Sequence, residues 1–361
     1  MTKKFCFRPN PCLYEINTVT WLHELSIDKQ RPIRLGDVPC EEWDQFQSMG
    51  MDFVWLMGVW KRSEASRQIA LENPALDREF RDALPDYTPD DAAGSPYAVG
   101  LYQPDPLIGS WSDLEKAKIE LNSRGIGLIL DFMPNHTAVD HEWVKEYPDY
   151  YVQGTEQDYF NIKNTYFIAE TKKGKRFIAH GRDPNFPAWT DTAQLDYSNK
   201  KTREAMINQV SAIAPYCDGL RCDMAMLIMN DIFKNTWGKV AAGEGSGKHG
   251  EFWSELIEAN PGLVYIAEAY WNTEWQLQQM GFDFVYDKVL FDRIRFSDPQ
   301  KIKLHLKANT EFQSRLVRFL ENHDEQRSAA TIPGFKLLPS AALCSTLPGM
   351  RMFYQGQFEG C

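Results

Sequence analysis

Four short stretches of this 361-residue chain close on side chains able to cleave an acetal. They are Asp131-Phe132-Met133-Pro134-Asn135-His136, Gly219-Leu220-Arg221-Cys222-Asp223, Ile266-Ala267-Glu268-Ala269-Tyr270 and Phe319-Leu320-Glu321-Asn322-His323-Asp324. Two-step cleavage of a glycosidic bond needs one carboxylate to attack the anomeric carbon and one protonated carboxyl to give its proton to the leaving oxygen. Asp223 suits the first task. Arg221 lies two residues before it, on the same face of a strand, and its charge favours an ionised carboxylate. Glu268 suits the second, given a raised pKa. Asp324 adds negative charge for an oxocarbenium-like centre, and His136 and His323 can hydrogen-bond sugar hydroxyls. Cys222 lies between two of these residues but points to the opposite strand face, into the core.

Something must gather these ends. Eight apolar runs have strand character: Cys12–Trp21, Asp52–Trp60, Ile126–Phe132, Asp218–Cys222, Leu263–Ala267, Phe282–Tyr286, Leu316–Leu320 and Met350–Tyr354. Short continuous runs suit strands buried on both faces. Helix signals alternate with them. Ser112-Asp113-Leu114-Glu115 reads as a capping box, Leu114, Ala117 and Leu121 as one buried face, and Gly125 as the stop. Glu41–Met49, Lys200–Ala214 and Glu251–Asn260 read the same way. The pattern predicts an α/β fold, a (β/α)₈ or TIM barrel, whose strands deliver the four clusters to one bowl at their C-terminal ends. Two excursions exceed ordinary loop lengths, Lys61–Gly100 and Thr137–Asp196. The second is read as a subdomain inserted after strand three. The barrel is thus expected over residues 1–136 and 197–361, with the insertion over 137–196.

Composition narrows the partners. A net charge of −11 disfavours nucleic acid and anionic membrane surfaces, and no apolar run is long enough to span a bilayer. Seven cysteines without a pairing framework read as reduced thiols, and the short apolar stretch after Met1-Thr2-Lys3-Lys4 is no signal peptide, so a cytoplasmic location is expected. Gly245-Ser246-Gly247-Lys248-His249-Gly250 matches a dinucleotide-binding pattern with Glu268 downstream, but no buried strand precedes it. Trp60, Trp111, Tyr270 and Trp271 are candidate sugar platforms that also suit plain packing, and Arg327 suits pairing with a carboxylate.

The four clusters, in this order and spacing, resemble the signature regions of the α-amylase family (glycoside hydrolase family 13). Gln194-Leu195-Asp196, Gly349…Tyr354-Gln355-Gly356-Gln357 and Ser95-Pro96-Tyr97 through Ile108-Gly109 resemble three further regions. The resemblance implies Asp223 as nucleophile, Glu268 as acid/base and Asp324 as transition-state stabiliser, with Tyr97, His136, Arg221 and His323 binding substrate. It implies an α-glucan or α-glucoside substrate and no required cofactor, with calcium as a structural ion held in part by Asn135. Met226-Leu227 stand where many amylases have Lys-His, which puts endo-acting starch hydrolysis in doubt. Some amylase-like barrels serve instead as non-catalytic binding subunits, after losing their carboxylates. The family normally adds an eighth helix and a C-terminal β-sandwich. Both are expected to be missing here, leaving an apolar face of Met350, Met352 and Tyr354 uncovered.

Overall fold

The computed structural model describes residues 4–238, 250–296 and 299–360. Gly245 through His249, most of the dinucleotide-like pattern, and Met1-Thr2-Lys3 lie outside them. Eight parallel strands close into a barrel: β1 (Cys12–Asn17), β2 (Phe53–Met57), β3 (Gly127–Phe132), β4 (Gly219–Cys222), β5 (Val264–Ala267), β6 (Phe284–Tyr286), β7 (Leu316–Arg318) and β8 (Met350–Tyr354). The TIM-barrel expectation holds. Each strand is apolar on both faces because each face meets a different core. Leu13, Phe53, Trp55, Ile129, Val264, Ile266, Val317, Met350 and Met352 fill the interior. Tyr14, Val54, Leu56, Leu128, Leu130, Leu220 and Tyr265 alternate with them and pack under the outer helices.

That alternation corrects the expected apolar face on strand eight. Met350 and Met352 point inward and are fully buried, so the outward residues are Arg351 and Phe353. Phe353 packs against Phe358 at 5.0 Å between ring centroids. The first described residues also pack against the barrel. Phe5 and Phe7 stack on Phe53 at the N-terminal mouth of the barrel, and Lys4 pairs with Asp283.

Several boundaries move for local reasons. β1 ends at Asn17, whose side chain accepts from Thr20 N and caps α1 (Thr18–Asp28), so Thr18 to Trp21 are helical rather than extended. After α2 (Cys40–Ser48), β2 ends before Gly58, which takes φ +76°, and Trp60–Arg62 pairs antiparallel with Val99–Pro104. Two helices rise from this excursion, α3 (Glu64–Leu71) and α4 (Pro74–Ala83). The capping box of α5 (Trp111–Ser123) lies two residues earlier than expected. Ser110 Oγ accepts from Asp113 N, and Asp113 accepts from Ser110 N. Trp111 is held against Tyr216 at 4.4 Å, so the helix has begun by that residue. Leu114, Ala117 and Leu121 form its buried face as expected.

Between β3 and the helix Lys200–Ile213 the chain builds its own small structure. His136–Ala138 pairs with Thr192–Gln194, and a three-stranded sheet joins Gln153–Gly154, Gly174–Ala179 and Tyr166–Thr171. Its return limb brings Trp189, Asp191 and Thr192 to the rim of the barrel.

Candidate active site

The strand register aims the chemistry. Arg221 is an inward residue of β4, and Asp223 continues that register one step beyond the strand. Glu268 likewise follows Val264 and Ile266. They meet in a bowl of about 350 Å³ lined by Tyr97, His136, Trp189, Asp223, Glu268 and Asp324 among others.

Arg221 is fully buried beneath this bowl and joins the two carboxylates. Its Nη1 donates to Asp223 Oδ1 at 2.7 Å. Its Nη2 lies 2.8 Å from Glu268 Oε2, an ion pair without the alignment of a hydrogen bond. The rings of Trp55, Tyr97 and Tyr286 surround the guanidinium at 5.1, 5.4 and 5.7 Å. Glu268 also accepts from Met224 N at 2.7 Å and from Tyr270 Oη at 3.1 Å. Burial, and after it the charge of Glu268, pushes the Asp223 carboxyl up to about 8 against the pull of Arg221. The sequence argument expected an ionised Asp223. Two buried carboxyls share one cation here, and that surrounding favours the protonated form of Asp223.

The remaining residues divide between the bowl and its supports. His323 Nε2 lies 2.7 Å from Tyr97 Oη and 3.2 Å from Asp324 Oδ2, while its Nδ1 bonds Glu15. Burial pulls the imidazole down, but the charge and hydrogen bond of Glu15 reverse this and raise it to about 9. Asp324 stands at the open rim, its side chain 46% exposed. His136 is held neutral, since burial lowers its pKa to about 4. Both its nitrogens are engaged, by Asn135 Nδ2 and the Tyr97 carbonyl.

Asn135 is a brace. Its side-chain oxygen and its carbonyl both accept from Gln194 Nε2. No group of three or more His, Cys, Asp or Glu among the described residues could hold a metal. Asp131 also lies below the bowl, bonded to Trp55 Nε1 and Gly58 N. Of the suggested platforms, Trp60 is buried and donates to the Asp131 carbonyl, Trp111 is packing, and Tyr270 serves Glu268. Trp271 stands 39% exposed with φ +61°. Arg327 pairs with Glu321. Met226 and Leu227 are buried in the outer core.

Glu15 was missed, although the sequence carried a signal. An acid in the middle of an apolar strand must have a buried partner. Its pairing with His323 makes a testable link. A base whose folded pKa is raised contributes stability that is complete below about 6.5 and is lost as pH rises through about 9. In Glu15→Gln, NMR titration of His323 is expected to show a neutral imidazole at pH 8, where the parent remains protonated. The fall in melting temperature between pH 8 and 10 should shrink with it. An unchanged His323 titration would sink this assignment.

Comparison with known proteins fits this geometry. The family described as "Alpha amylase, catalytic domain" matches residues 40–361. Alpha-amylase 3 of Dictyoglomus thermophilum is 26% identical over 357 residues, covering 91% of this chain and 60% of that protein. Alpha-amylase MalA of Haloarcula japonica is 20% identical, covering 90% of this chain and 41% of that protein. The chain therefore spans less than two thirds of the length of either curated relative. Among solved structures, the maltogenic alpha-amylase AmyB of Thermotoga neapolitana superposes with a TM-score of 0.62 at 21% identity, over 98% of this chain and 69% of that one.

Proposed function

Because this chain belongs to the alpha-amylase catalytic-domain family, we propose that it is a retaining enzyme acting on α-glucosidic bonds of an oligosaccharide or α-glucoside. The observation that carries this reading is the pair of buried carboxyls, Asp223 and Glu268, held at the two ends of one guanidinium in an open bowl. An Arg placed between two acids holds both carboxyls in fixed positions at one side of the bowl.

In this scheme a glucosyl unit enters the bowl and displaces water. The scheme needs Asp223 ionised and Glu268 protonated. Asp223 attacks the anomeric carbon, the bond to the leaving oxygen breaks with its electron pair, and that oxygen takes the Glu268 proton. Water, or another sugar hydroxyl, then gives a proton to Glu268 and attacks the same carbon, freeing Asp223. Asp324 binds hydroxyls of the sugar ring at the rim, and the protonated His323 beneath holds Asp324 and Tyr97 in position. Tyr97 packs against the sugar ring, and residues 137–196 wall the bowl through Trp189 and Asp191. His136 reaches a hydroxyl only by releasing the Tyr97 carbonyl. No step needs a metal.

Incubation with maltooligosaccharides, sucrose and trehalose, with separation of the products, tests the reaction. Proton NMR of the first product tests the route, and the α-anomer is expected first because two inversions retain configuration. An initial β-anomer would refute the covalent scheme.

A further inference from the structure

A second cavity, of about 870 Å³, opens beside the bowl and shares Ser95, Trp189 and Asp191 with it. Its outer wall is α3 and α4, the helix pair that rises after β2. None of the residues of α4 is buried. Its apolar residues, Leu76, Phe80 and Ala83, nevertheless recur at helical spacing, with Leu84 just beyond the helix, and all four line this cavity. Ile69 of α3, Tyr87 and Trp189 complete the carbon surface, with Phe80 and Tyr87 in ring contact at 5.3 Å.

Several polar side chains around the cavity are bonded within its walls. Ser66 Oγ donates to Asp191, Asn73 Oδ1 caps α4, and Asp91 accepts from Thr88. Asn17 caps α1, and Arg62 donates from Nη1 to the Gly94 carbonyl. A subsite for further glucose units needs free donors and acceptors for several hydroxyls, because a polar group buried without a partner is costly. This wall offers carbon instead.

We propose that this cavity receives an apolar aglycone, an alkyl or aryl group attached to the glucosyl unit whose ring occupies the bowl. The assignment rests on the α-glucoside reading above and names the substrate class for it. An apolar stripe on a solvent-side helix has no core to fill, and it adjoins the bowl across Ser95, Trp189 and Asp191.

The test compares n-octyl with methyl α-D-glucopyranoside on the intact chain, together with binding of 1-octanol, which needs no turnover. The octyl glucoside is expected to show a KM lower by at least about tenfold, the effect of burying about two methylenes. The double variant Leu76→Ser/Phe80→Ser should erase that advantage and the octanol binding while maltose kinetics change less than about twofold. It should fold, because neither side chain is buried. Equal KM values for the two glucosides, or an octanol affinity the variant leaves intact, would overturn the proposal. A loss confined to maltotetraose and longer chains would overturn it as well, by assigning the cavity to glucan. If no α-glucoside is cleaved at all, the enzymatic reading fails, while octanol binding that the double variant abolishes still supports the cavity.

Discussion

Asp223→Asn is expected to fold as the parent does and to lose at least about 10⁴-fold in turnover on any α-glucoside the parent cleaves. The size follows from the role. An amide cannot form the glycosyl ester, and nothing else in the bowl holds a carboxylate in the register that β4 gives to residue 223. The fold should survive because the change is isosteric, and the amide oxygen can still accept from Arg221 Nη1, the bond that Asp223 Oδ1 makes at 2.7 Å. Stability should even improve slightly above neutral pH. Asp223 has a raised pKa, so its ionisation costs folding energy as pH rises, and the neutral amide is free of that cost. Steady-state kinetics and a melting curve at pH 8 check both halves. A folded Asp223→Asn protein with activity within about tenfold of the parent would assign the nucleophile elsewhere.

The second large effect belongs to Arg221. Arg221→Leu is expected to cost about 3–5 kcal/mol of stability at pH 8, the usual result of removing one partner of a buried ion pair. Two carboxyls would then lie under three aromatic rings with no cation between them. The Asp223 pKa would rise further, and an acid whose folded pKa exceeds its unfolded value loses stability as pH rises. The deficit should therefore be small near pH 4–5, where Asp223 holds its proton, and should widen towards pH 8. Turnover should fall by at least about 100-fold, because the cation that positions both carboxyls and favours the ionised form of Asp223 would be gone. Arg221→Lys should recover much of the stability but little of the activity, since an ammonium cannot span both carboxylates as the planar fork does. Denaturation midpoints at pH 5 and pH 8 decide this. A deficit equal at the two values would show that Arg221 contributes packing and not charge.

Several elements were legible in the chain alone. A strand buried on two faces leaves a short apolar run, so all eight barrel strands could be placed, and with them the ends at which Asp223 and Glu268 stand. The period of two put Arg221 and Asp223 on one face and sent Cys222 to the other. The same rule misleads at the last strand, where it is taken to turn Met350 and Met352 outward. One strand carries apolar residues on both faces, and only its pairing with β1 and β7 settles which set looks inward.

What tertiary structure decided was charge and proximity between distant residues. Glu15 and His323 stand 308 positions apart, so no local pattern could pair them or show that His323 is held as a cation. The raised pKa of Asp223 depends on its burial and on the charges of Glu268 and Arg221, which two neighbouring strands bring together. Asn135 carried a motif consistent with an ion, and the fold filled its oxygen with Gln194 instead. Local sequence sets backbone direction and the face each side chain takes, because those follow from neighbours along the chain. The protonation state of a buried group follows from every charge and donor within a few ångströms, and only the closed barrel brings those together.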